Sequence, residues 1–168
     1  MYFKYSRQKG NDYIRFLLDK FSSNNIDGLH THHKKIKEIL HPNDINEYVR
    51  SLKNMAKHWY ESYFPYESNQ LTNEEKIWIE KLNRIEIAYF RPLITVAISQ
   101  THKYSLDDRI AFYKAVERII FVLYRYGTYM STYKNSYYNA KVKQLYHSEI
   151  SLNDITNDII NETNNNLE

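Results

Sequence analysis

A chain of 168 residues, 42% of them hydrophobic, is long enough to bury a core and too apolar to remain an open coil. Three glycines and three prolines are too few for a turn-rich β-sandwich or barrel. The absence of cysteine excludes a disulfide framework, a thiolate zinc site and a cysteine nucleophile, while a net charge of +3 permits a nucleic-acid partner and argues for none.

The opening MYFKYSRQKG has no apolar h-region, so no signal peptide is expected, and no apolar run is long enough to span a membrane. The expected location is cytoplasmic. Asn11 or Asp12 can cap a first helix in which Ile14, Leu17, Leu18 and Phe21 recur at helical spacing. The polar run Ser22 to Gly28 ends it, and Thr31 starts a brief second helix through Leu40. Asn43 or Asp44 then opens an amphipathic helix whose stripe includes Ile45, Tyr48, Val49, Leu52, Met55, Ala56, Trp59, Tyr60 and Tyr63, stopped near Pro65.

Thr72 and Glu75 have the spacing of a capping box, in which the hydroxyl takes the third amide and the carboxylate reaches back. Trp78, Leu82, Ile85 and Tyr89 continue that helix as a stripe. Pro92, which lacks an amide proton, starts the next one, and the all-round apolar segment Leu93 to Ile98 predicts a buried central helix. Ser105 and Asp108 form another possible capping box, followed by Ile110, Tyr113, Val116, Ile119, Ile120, Leu123 and Tyr124, with Gly127 as C-cap. A tyrosine-rich helix from about Ser131 to Tyr146 follows. Ser151 and Asp154 open a last short helix with Leu152, Ile155 and Ile159. The expected fold is all-α: a single array of about seven or eight helices over residues 1–160, with 161–168 a frayed polar tail.

His30, His32, His33 and His41 are potential zinc ligands, but no HExxH pattern or cysteine partner accompanies them, so a solvated basic loop beside Lys34, Lys35 and Lys37 is the reading. Glu74, Glu75, Glu80, Glu86, Asp107 and Asp108 lie on helices, and those early in a helix complement its dipole without catalysis. No repeated ExxH pair, GxxxxGK[ST] loop or GxGxxG turn occurs. A HEPN-type RNase needs its arginine and histidine closer than Arg50 and His58 stand. No catalytic residue, cofactor or metal is therefore assigned. The one candidate surface is basic and aromatic: Arg118, Arg125, Tyr129, Tyr133, Lys134, Tyr137 and Lys141, where cations meet phosphates and rings stack bases or line a groove. The bland account of this pattern is tyrosines packed inward at helical spacing beneath solvated charges.

The order of segments NDYIRFLLDKF, EILHPNDINEYVRSLKNMAKHWYESYF, WIEKLNRIEIAYFRPLITVAI and VERIIFVLYRYG resembles the helical region of GmrSD-type restriction endonucleases, over roughly residues 11–160. Pro42 to Tyr60 is similar to one conserved stretch of that region. Leu82 to Ala97, centred on Phe90-Arg91-Pro92-Leu93, is similar to another, and Val116-Glu117-Arg118 with Tyr124-Arg125 match its following helix more loosely. The resemblance implies a part in defence against foreign DNA. In that family a ParB-like domain with an Asp-Gly-Gln-Gln-Arg signature handles nucleotide and an HNH-like domain cuts DNA. Neither signature is present here, so no catalytic residue is carried over. The expectation is a non-enzymatic helical module that positions those two domains and contacts DNA or another protomer. The alternative is a free-standing helical protein-interaction module.

Overall fold

The computed structural model describes residues 45–85, 90–127 and 133–166. The two helices expected before Leu40, the four loop histidines and Tyr129 lie outside them. Among the described residues every regular element is helical: α1 Ile45–Tyr63, α2 Asn73–Arg84, α3 Arg91–Ser99, α4 Leu106–Ile119, α5 Asn135–Tyr146 and α6 Leu152–Asn165. A single 3₁₀ turn, Pro65–Glu67, follows α1, and a π-helical segment, Ile120–Tyr126, continues α4. The chain divides into two compact units, Met1–Lys57 and His58–Glu168. Of the first, only the α1 stretch from Ile45 to Lys57 is described; the packing below concerns the second.

Three helices start as their caps dictate. Thr72 with Glu75, Ser105 with Asp108 and Ser151 with Asp154 each form a complete capping box, hydroxyl to third amide and carboxylate back to the cap. Helix α3 begins at Arg91 with Pro92 in its first turn, where a missing amide proton leaves no bond unmade. Leu93, Ile94, Val96, Ala97 and Ile98 are all fully buried. Helix α5 starts later than its tyrosine spacing predicts, at Asn135, because Lys134 takes a left-handed conformation (φ 54°) at its N-cap. Helix α6 runs to Asn165, through most of the segment expected to fray. Thr163 is buried there, and its hydroxyl donates back to the Ile159 carbonyl at 2.7 Å.

Helix α4 packs against α2 and α6, and α3 packs against α5. The cross-links set the directions. Glu75 meets Arg109, Trp78 meets Lys114 and Lys81 meets Glu117, so α2 and α4 run side by side in the same direction. Asp108 with Asn153 and Arg118 with Asn164 make α4 and α6 parallel too. Phe90 against Tyr138 and Gln100 on the Leu145 carbonyl do the same for α3 and α5. Helices α5 and α6 run antiparallel, since Glu162 meets Lys134 while Asp158 meets Lys141.

Candidate functional site

The basic and aromatic residues singled out in the sequence separate into two groups. Tyr133, Lys134, Tyr137 and Lys141 gather on the acids of α6. The Tyr133 hydroxyl donates to Glu162 at 2.9 Å and Lys134 pairs with the other oxygen of that carboxylate. One turn away, Asp158 accepts from the Tyr137 hydroxyl at 3.0 Å and from Lys141 at 2.8 Å. The ammonium groups also lie near ring faces, Lys134 at 5.6 and 5.7 Å from Tyr133 and Tyr137, and Lys141 at 5.3 Å from Tyr137. Two lysines therefore meet two carboxylates, and the cations that a phosphate would have used are neutralised within the fold.

Electrostatics agree with this geometry. Burial alone would raise the Glu162 carboxyl, but bonds from Lys134 and Tyr133 outweigh it and hold its pKa below the ordinary value. The bond to Asp158 raises Lys141. Burial first, and then Asp158, raise the Tyr137 hydroxyl. The ring that packs inward is neither Tyr133 nor Tyr137 but Tyr138, buried against Phe90 at 4.7 Å between centroids.

Arg118 and Arg125 stay exposed on the α4–π run. Arg118 donates to the Asn164 side chain at 3.1 Å and Arg125 to the Ile85 carbonyl at 3.0 Å. The Glu117 carboxylate, a possible partner for either, is held by Lys81 at 2.7 Å. Between the arginines the backbone widens to i→i+5 bonding, which places Leu123 inward and leaves Phe121 and Tyr126 outward, Tyr126 at 96% exposure. Gly127 ends the segment with its amide on the Val122 carbonyl at 2.9 Å. Its backbone is extended (φ −75°, ψ 164°), so it is not the left-handed cap that its position suggests. Close approach explains the glycine instead: a Cβ there would stand 2.7 Å from the Leu123 oxygen and 2.8 Å from that of Val122.

Three polar clusters were not visible in the sequence. Glu75, fully buried, takes two bonds from Arg109, at 2.5 and 3.1 Å, while also closing its capping box with Thr72. Arg109, 7% exposed, donates through Nη1 to the Thr101 and Tyr104 carbonyls and so ties down the turn before α4. Burial would raise Glu75, but the bonds from Arg109 and Thr72 prevail and lower its pKa. Beside the pair, the Tyr113 hydroxyl is fully buried without a hydrogen-bond partner, and burial pushes its pKa strongly upward. Arg91 forms the second cluster, bonding the Ser62 carbonyl at 2.8 Å and Asn83 at 3.0 Å with its guanidinium 3.5 Å over the Tyr63 ring. Burial pushes it down to about 10, still a cation at neutral pH. In the third, buried Glu61 meets His58 Nδ1 at 2.9 Å and accepts from Ser68 at 3.0 Å and Gln70 at 2.8 Å.

Each cluster joins groups to the ends of helices or to turns, and among the described residues no group of three or more histidines and acids converges as a metal site would. Compared with models of protein families, with curated proteins and with solved structures, the chain finds no match, so a functional reading rests on its own residues.

Proposed function

We propose that this chain is a non-catalytic helical module of a GmrSD-like restriction system, one that positions nucleotide-handling and nuclease domains and contacts DNA through its exposed arginines. The observation that supports it most is where the polar side chains are spent. Glu75 with Arg109, Arg91 with Ser62 and Asn83, and Tyr133 and Lys134 with Glu162 all brace helix ends or turns. A scaffold needs such bracing, whereas a reaction centre needs groups held in reserve for substrate.

The neutralised lysines narrow the DNA-contacting part of the reading to Arg118 and Arg125. The free-standing interaction module is favoured as a second reading by the outward Phe121 and Tyr126. Anisotropy of labelled modified and unmodified duplexes across a salt series separates the two. A DNA-contacting module loses affinity steeply with salt, because each phosphate contact releases counterions. R118E/R125E should weaken binding with the fold intact. Reversal of Lys134 would set a glutamate against Glu162 and report on folding instead. Absence of salt-dependent binding to every duplex would remove DNA from the reading. Cleavage with added magnesium, manganese or zinc that survives repurification and disappears with one acid or histidine substitution would overturn the non-catalytic part.

A further inference from the structure

We infer that Arg91, in the first turn of α3, is the receptor for a carboxylate that enters from the α2 end and takes the place of the Asn83 side chain. Arg91 is 5% exposed, yet its partners among the described residues are neutral. Nη1 donates to the Ser62 carbonyl at 2.8 Å and the Ser62 hydroxyl at 3.3 Å, and Nη2 donates to the Asn83 side-chain oxygen at 3.0 Å. Nε is buried and has no acceptor. A buried cation ordinarily sits against an anion, because neutral dipoles replace its lost hydration only in part. The place of Arg91 at the start of a nine-residue helix adds to the deficit, since the helix dipole opposes a cation there and favours an anion.

The same fold holds the filled form of this arrangement. In Arg109, also buried, Nε donates to one oxygen of Glu75 at 2.5 Å and Nη2 to the other at 3.1 Å, so both carboxylate oxygens lie along the side-on edge of the guanidinium. Arg91 presents the same edge, but the one oxygen that Asn83 supplies reaches Nη2 and leaves Nε unmet. The charge states follow the partners: Glu75 raises the pKa of Arg109, whereas burial lowers that of Arg91 to about 10. Ser62 and the Tyr63 ring, 3.5 Å from the guanidinium, fix the plane of the group and so the direction from which a planar partner comes. Asn83 is the side chain that yields, since it is half-buried in the last turn of α2 and held otherwise by one bond to the Tyr63 carbonyl at 3.2 Å. So enclosed an arginine offers no face to a phosphodiester strand. A carboxylate on a narrow stem suits it, whether a free ion or the end of an acidic side chain.

The test follows the Arg91 Nε–H signal of the full chain by nitrogen–proton NMR during titration with sodium formate and with the α-amide of N-acetylglutamate. Sodium chloride at equal ionic strength is the reference. A carboxylate should move the signal saturably and chloride should not, because only the former gives Nε a hydrogen-bond acceptor. Asn83→Ala clears the edge and should bind formate about tenfold tighter than the parent. Asn83→Asp puts a carboxylate on the edge from within and should abolish the saturable response. Saturation by formate alone would assign the site to a free ion, and saturation by the glutamyl amide would assign it to an acidic side chain. Arg118 and Arg125 take no part, so loss of duplex binding leaves this site standing. A parent signal that responds to neither carboxylate, equal formate affinity of N83A and the parent, or saturable binding by N83D would each overturn the inference.

Discussion

Replacing Arg109 by methionine should strand the buried Glu75 carboxylate, and the consequences are specific enough to measure. The arginine supplies two bonds to Glu75 and two more to the Thr101 and Tyr104 carbonyls, while Glu75 keeps only its contacts with Thr72. Removing one partner of a buried ion pair costs about 3–5 kcal/mol, a large part of the roughly 5–15 kcal/mol that holds a domain folded. In a unit of this size that is a fall in Tm on the order of 15 °C. The pH profile carries the sharper signature. In the parent the Glu75 pKa is lowered, so its contribution is fully present above the unfolded value of about 4.3 and is lost as pH falls through the folded pKa. In the variant only burial and Thr72 remain to set that pKa, and the desolvated anion destabilises until it takes a proton. The gap in urea-unfolding free energy between parent and variant should therefore narrow from about pH 7 to about pH 4.5. E75Q/R109M, which keeps a capping glutamine and strands no charge, should recover part of the loss. A gap that stays constant with pH, or a loss below about 1 kcal/mol as for an exposed pair, would refute the reasoning.

Gly127→Ala drives a methyl group against the Leu123 and Val122 oxygens and should cost about 1–3 kcal/mol, with faster hydrogen exchange at the Gly127 amide as the local check. Ile94→Asp places a charge at a fully buried position of α3 and should abolish the cooperative unfolding transition; an unchanged Tm would refute the burial of that side chain. Tyr133→Phe and Lys134→Met each remove one bond to Glu162 and should cost about 1 kcal/mol apiece. Because they share that carboxylate, the double mutant should depart from the sum of the singles, and strict additivity would argue against a shared site.

What was legible in the residues was what a helix encodes within three or four positions. The capping boxes at Thr72 and Ser105, the helix start at Ser151 and the stripe from Ile110 to Leu123 depend on local spacing, and the structure has them. Glu75 shows where local reading stops. Its place in a first turn accounts for an acid through the dipole, yet its partner Arg109 is 34 residues away and no spacing announces it. The π segment was equally silent, since its apolar residues fit an ordinary helix and the wider bonding emerges only with its neighbours in place. The candidate surface fared likewise: Lys134 and Lys141 read as free cations until α6, whose register no local pattern sets, brought Glu162 and Asp158 beneath them.

The parallel pairing of neighbours also bears on how the chain reaches this fold. An up-and-down bundle joins antiparallel helices through short turns and can zip from each hairpin. Here the cross-links that seat α4 against α2 and α6 close separations of 34, 45 and 46 residues, and those between α3 and α5 close 45 and 48. Each requires a whole intervening helix to be set aside before two faces meet, so loop-closure entropy is lost before any interhelical contact compensates it. Folding should accordingly be slower than in a hairpin-built helical domain of equal length.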